Sequence, residues 1–150
     1  NDIIGIEYSS SLKNNYSTMV GIAHGWGYGD NFLSVLISHC SKEMSDFIKD
    51  VHKTNRKINQ SAYLGDLLVT TYSSFSRNRT FGNMIGKGYS IKSAKAEMNM
   101  VVEGYYATKN AFMLSKKLST KFLIIDFCHK ILFENKSASR QMKELSKNLY

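Results

Sequence analysis

A chain of 150 residues, 43% apolar and 21% charged, has the size and mix of one globular domain, which excludes wholesale disorder and any need for a disulfide or metal framework. Proline is absent, which argues against a Pro-rich linker or a loop-dominated all-β fold and favours helices. The 20 Lys and Arg outnumber the 12 Asp and Glu for a net +8, carried unevenly: residues 1–75 sum to −1 and residues 76–150 to +9.

The opening Asp2-Ile-Ile-Gly-Ile-Glu-Tyr8 is a β-branched run and predicts one strand. A lone strand leaves its backbone groups unpaired, so it is expected to complete a sheet in a part of the protein outside this chain. Residues 13–24 predict a helix with Leu12, Tyr16, Met19, Val20 and Ala23 on one side, stopped by the alternate glycines Gly25, Gly27 and Gly29. Residues 31–53 predict a long helix, with Leu33, Leu36, Ile37, Cys40, Met44, Phe47 and Ile48 spaced by three and four.

Residues 55–60 are polar and read as a loop; residues 62–72 are short and apolar around Gly65-Asp66. Residues 76–85 predict a helix closed by Gly86-Lys-Gly88, and residues 90–98 a small one capped by Ser90. Residues 101–118 place Ala107, Ala111, Leu114 and Leu118 on one stripe. Residues 123–133 are apolar nearly all round and predict the central buried helix; residues 138–149 close the pattern with Met142, Leu145 and Leu149 in phase. The expected fold is all-α: a single bundle domain of seven to eight helices preceded by one orphan β-strand.

The charge points first to an anionic partner for the second half: phosphate, dinucleotide or nucleic acid. Sixteen of the 20 basic residues are Lys, however, and Lys, Asn and Ile fill 40 positions, as an AT-rich coding sequence produces without selection for binding. Most of that charge therefore reads as a solvated surface, and the few arginines carry more information because a guanidinium grips phosphate bidentately. Cys40 and Cys128 lie far apart and make no disulfide framework, which suits a reducing cytoplasm. The longest charge-free run, residues 14–29, is too short and polar to span a membrane. The start, with Asp2 and Glu7, does not resemble a signal peptide.

Neighbouring residues on a helix diverge by about 100°, so neither His39-Cys40 nor Cys128-His129 presents both groups to one metal, and no metal ligand is assigned. Gly25-x-Gly27-x-Gly29 lacks the spacing of a dinucleotide loop, and Gly82-x-x-x-Gly86-Lys87 is one residue short of a phosphate loop; both read as helix-ending turns. Ser76-Arg-Asn-Arg79 sets a hydroxyl, guanidinium groups and an amide at a helix start, where free N–H groups and the dipole favour an anion. Lys13 follows the uncharged Ser9-Ser-Ser-Leu12 at the expected strand–helix junction, where partial desolvation suits a proton donor. Asp66 is an acid inside an apolar stretch; buried, it needs a cation, and Lys13 would serve.

Taken in order, Ile4-Gly-Ile-Glu, Leu12-Lys-Asn14, Gly29-Asp-Asn31, Leu64-Gly-Asp-Leu-Leu-Val-Thr70, Ser76-Arg-Asn-Arg79 with Phe81-Gly82, Gly86-Lys-Gly88 and Val101-Val-Glu-Gly-Tyr105 with Thr108-Lys109 resemble the C-terminal domain of bacterial NAD(P)-dependent glycerol-3-phosphate dehydrogenase. The resemblance runs from one end of the chain to the other. It implies that residues 1–9 are the last strand and exit of a Rossmann-type cofactor domain absent from this chain, and that residues 10–150 are the helical substrate domain. It implies the interconversion of glycerone phosphate and sn-glycerol 3-phosphate with NAD or NADP, feeding glycerophospholipid synthesis, and a fragment inactive alone.

By the same resemblance Lys13 is the general acid/base, and Asp66 holds it and binds a substrate hydroxyl. Asn14 and Thr70 contact the substrate and the lysine. Ser76, Arg77 and Asn78 cradle the substrate phosphate, and Arg77, Val101 and Glu103 lie along the cofactor. The implied partners are the small-molecule substrate and a second copy in a homodimer, with neither nucleic acid nor membrane. The reading that competes with this one is a basic helical nucleic-acid-binding module, resting on the +9 half; a structural dimerisation domain is compatible with the first.

Overall fold

The computed structural model describes residues 2–150, and among them every regular element is helical. The elements are α1 (Ile3–Trp26), α2 (Asp30–Val51), a π-helical turn (Ser61–Gly65), α3 (Asp66–Tyr72), α4 (Arg77–Gly86), α5 (Ile91–Glu97), α6 (Glu103–Ser115), α7 (Leu123–Phe133) and α8 (Ala138–Leu149). The all-α bundle expected from the periodicity is present. No helix of the described residues is long and apolar enough to cross a membrane.

The orphan strand is not. Residues 3–8 are the first turns of α1, which runs on without interruption to Trp26. The isoleucines that suggested a strand, Ile3, Ile4 and Ile6, face outward. The inward period belongs to Gly5, Ser9 and Leu12, spaced four and three apart, which is helical. Asp2 caps this end by accepting from the Gly5 N–H at 3.1 Å. Tertiary anchoring thus overrides a local β preference, which is a weak prior.

The centre of the bundle is α1 rather than residues 123–133. Every residue from Asn15 to Ala23 is buried, and α1 packs against α2, α3, α4, α6, α7 and α8. Small side chains make this possible, since Ser17, Gly21, Ala23 and Gly25 let neighbours close in. In α7 the polar Asp126, His129 and Lys130 share one face, and Leu123 stays 41% exposed.

The tightest approach joins α1 to α4. A Cβ on Gly82 would overlap the Thr18 carbonyl, and one on Gly86 the Ile22 carbonyl. Reciprocally, a Cβ on Gly21 or Gly25 would overlap the carbonyls of Arg79 and Asn83. The Gly82–Gly86 pair, read from sequence as a turn, is therefore a backbone-to-backbone contact along the helix. It fixes where the start of α4 meets the middle of α1.

Glu43 on α2 performs a second structural task. Phe122 cannot cap α7, and the buried Glu43 carboxylate does so from across the bundle, accepting from the N–H groups of Ile124 (2.8 Å) and Ile125 (3.0 Å). Burial nevertheless pushes its pKa up from 4.5 to about 7. The folded state then binds more protons than the unfolded chain between those values, so stability falls as pH rises through that window. The expected loss is roughly 3 kcal/mol. Urea unfolding at pH 5 and pH 7.5 reads it, and Glu43→Gln is expected to flatten the difference.

Candidate active site

Three helix starts converge on one face of α1. Lys13, Asn14, Ser17 and Thr18 recur on that face at intervals of about one turn. Opposite them stand Asp66, the first residue of α3; Ser76, Arg77 and Asn78 at the start of α4; and Glu103, the first residue of α6.

Lys13 Nζ lies 2.7 Å from Asp66 Oδ2, the pairing expected from the charges, and the side chains keep 22% and 41% of their exposure. The ammonium is held at one point, and its other protons remain available to a ligand. Asn14 bridges two helices, donating to Glu103 Oε2 (3.1 Å) and accepting from Asn78 Nδ2 (3.0 Å). Asn78 is buried, and its Oδ1 accepts from the Gly104 N–H at 2.8 Å. A Cβ on Gly104 would overlap Thr18 Oγ1, so only glycine allows α6 to sit this close.

Ser76 caps α4, accepting from the Arg79 N–H. Ser17 donates to the Thr70 carbonyl (3.0 Å), so its 3.0 Å contact with Ser76 Oγ takes the Ser76 proton. Thr70 stands one turn beyond Asp66, and its hydroxyl donates back to the Asp66 carbonyl (2.8 Å). The two arginines of the motif part company. Arg79 donates to the Tyr72 carbonyl (2.6 Å) and closes the end of α3. Arg77 is exposed and rests on Met100 Sδ (2.9 Å), a weak acceptor that a stronger anion displaces. Val101 (67% exposed) and Glu103 border an open groove of about 610 Å³ that runs from Asn14 to Ile6 and Tyr106.

The structure thus gathers one polar patch from two bonded groups: Lys13 with Asp66, continued through Thr70 and Ser17 to Ser76, and Asn14 with Asn78 and Glu103. Arg77 and Val101 border it without joining it. A family model described as NAD-dependent glycerol-3-phosphate dehydrogenase C-terminus matches residues 2–143. The chain belongs to this family. It is 40% identical over 144 residues to a glycerol-3-phosphate dehydrogenase (NAD(P)+) of Fusobacterium nucleatum, a match covering 96% of this chain and 43% of the relative. It is 38% identical, with the same coverages, to the protein of that name from Agathobacter rectalis. A crystal structure of glycerol-3-phosphate dehydrogenase from Coxiella burnetii superposes with a TM-score of 0.93 at 30% identity, over 98% of this chain and 46% of that one. The chain therefore spans less than half the length of these relatives.

Within this patch, sequence reasoning passed over Ser17, Thr18 and Gly104. A signal existed for the first two: both are polar residues in a mostly apolar stretch of helix, in phase with Lys13 and Asn14. Gly104 carried none, because the close approach that demands it comes from a helix far away in sequence.

Proposed function

We propose that this chain is the substrate-binding and catalytic helical part of an NAD(P)-dependent glycerol-3-phosphate dehydrogenase, which interconverts glycerone phosphate and sn-glycerol 3-phosphate and supplies glycerophospholipid precursors. One observation carries this reading: a lysine–aspartate pair and the start of α4 share one face of α1.

The two ends of the substrate need different chemistry, and the site offers both. The start of α4 presents free N–H groups and its positive dipole end, with the Arg77 guanidinium beside them, which suits a phosphate. Asn78 keeps one amide proton for it, and Ser76, whose proton goes to Ser17, fixes the helix end. At the other end, Lys13 stabilises negative charge growing on the C2 oxygen during reduction and gives that oxygen its proton; oxidation reverses the transfer. Asp66 aims the ammonium and accepts from a substrate hydroxyl. Asn14, held from both sides, keeps the start of α6 against the lysine.

The nicotinamide cofactor supplies or accepts the hydride when bound. Val101 and Glu103 border the open groove, and with the exposed Arg77 they are the residues of this chain offered to the cofactor, while the main dinucleotide site belongs to a part of the relatives that this chain does not span. In this reading the first turns of α1, with Ile3, Ile4 and Ile6 exposed, meet that part, and the helical unit begins with α1 itself. A cytoplasmic location and a homodimer complete the reading. Nothing in the geometry favours the nucleic-acid-binding module: Arg79 is tied to the Tyr72 carbonyl, and lysines such as Lys92, Lys109, Lys121 and Lys143 stand exposed on different helices and loops.

The test is the reduction of glycerone phosphate by NADH or NADPH, followed by absorbance, with the dinucleotide-binding part present. Arg77→Ala is expected to raise KM for glycerone phosphate about 10- to 100-fold, the value of a lost charge-assisted pair. An unchanged KM would remove Arg77 from the phosphate site.

A further inference from the structure

A second ionic cluster lies on the side of α1 that carries Lys13, three turns toward the N-terminus. Asp2 accepts from Arg56 at both carboxylate oxygens, through Nε and through Nη2 (3.0 Å), and from the Tyr63 hydroxyl at 2.6 Å. The same guanidinium donates to the His52 carbonyl at the end of α2 (2.6 Å) and meets His52 Nδ1 (2.8 Å). The Arg56 side chain is only 5% exposed. Arg56 foremost, then Tyr63, hold the Asp2 carboxyl well below the usual carboxylate range, so the cluster stays ionised at neutral pH. One arginine thus joins the start of α1, the end of α2 and the loop between α2 and the π-helical turn.

Tyr63 belongs to that turn, and Asp66 follows it directly as the first residue of α3. A π turn carries about one residue more than an α turn. If it relaxed to α geometry, Asp66 would swing by about 100° around the helix axis and leave Lys13. Ser61 and Ala62 are exposed and supply no packing, so the buried Tyr63 is the side chain of the turn that secures it. Asp2 and Lys13 are eleven residues apart on α1, which places them within about 20° of one face and roughly 16 Å apart along it. The segment that carries Asp66 is therefore pinned to one ruler at two levels, Asp2 to Tyr63 and Lys13 to Asp66.

We propose that Asp2, Arg56 and Tyr63 are positioning residues that hold the π-helical turn in the geometry that presents Asp66 to Lys13. This rests on the role given to Lys13 and Asp66 above. None of the three touches the reacting atoms; they act through the placement of Asp66.

Tyr63→Phe removes one hydroxyl and keeps the buried ring, so it tests the latch with the fold retained. Arg56→Met removes the charge, and Arg56→Lys keeps a donor for Asp2. Two measurements are made on the enzyme with its dinucleotide-binding part. Amide hydrogen exchange by mass spectrometry is expected to quicken about 10-fold across residues 61–70 in Tyr63→Phe and Arg56→Met, with α7 unchanged. The kcat for glycerone phosphate is expected to fall about 10-fold with KM within about 2-fold, because displacement of a catalytic group by about 1 Å costs up to about 100-fold. Arg56→Lys is expected to recover part of both.

Exchange across residues 61–70 unchanged in both variants would overturn the proposal. So would faster exchange with kcat intact, which would leave the cluster merely structural. Should the unsubstituted protein prove inactive toward glycerone phosphate, the functional reading fails, while the exchange measurement still decides whether the cluster holds the turn.

Discussion

Lys13→Met is expected to lower kcat for glycerone phosphate reduction by about 10²- to 10⁴-fold, the span of a lost general acid. Methionine keeps an unbranched stem of similar length, so the packing of that part of α1 survives. The lost pair is partly exposed, and such pairs add at most about 1 kcal/mol to stability. Asp66, 41% exposed, returns to solvent without a buried unpaired charge. The variant therefore separates chemistry from folding: its thermal melt stays near that of the parent while turnover collapses. Phosphate binding at the start of α4 is untouched, so KM moves little compared with kcat, the opposite of the Arg77→Ala pattern. A kcat within a few-fold of the parent would remove Lys13 as the proton donor. Partial rescue of Lys13→Ala by a small alkylamine would show that an amine at that spot is what the reaction lacks.

What was legible in the sequence depended on how far away the deciding partner stood. From residue 31 onward, apolar spacing, N-cap serines and glycine stops located the helices to within a few residues, because each signal lies inside the element it marks. Ser76 and Ser90 accept from the backbone three residues on, as their positions suggested. The Lys13–Asp66 pair was also legible, since an acid in an apolar segment needs a cation. The start of α1 was not. Its β-branched residues dominate a local reading, whereas its helical state depends on Asp2, whose partners Arg56 and Tyr63 lie 54 and 61 residues away. The same distance hid Gly104, whose partners Thr18 and Asn14 stand on another helix. The +9 half pointed to lysines that are mostly exposed, while Lys13, the one paired with Asp66, sits in the half with net −1.

Gly82→Ala is expected to destabilise the fold by about 3 kcal/mol, although alanine is the better helix former by about 1 kcal/mol. The added methyl meets the Thr18 carbonyl and the Ile22 N–H, which are backbone atoms of a helix buried on every side and unable to rotate away. The only relief is to move α4 away from α1, which opens the paired contact at Gly86 as well. Set against a total stability of about 5–15 kcal/mol, that is a large share. The site suffers with it, because the Asn14–Asn78 and Ser17–Ser76 bonds at 3.0 Å span the helices being parted. The phosphate end of the site thus shifts relative to Lys13, and both KM and kcat worsen in whatever protein remains folded. Gly29→Ala is the control: it lies at the start of α2 with nothing within 4 Å of an added Cβ. Because Gly29 is the N-cap of α2 and alanine caps less well, it is expected to cost up to about 1 kcal/mol, well below Gly82→Ala. Urea denaturation of the two variants against the parent measures the difference. Equal effects would mean that the glycines of α4 do not set its distance from α1, and that the placement of Ser76, Arg77 and Asn78 owes nothing to this contact.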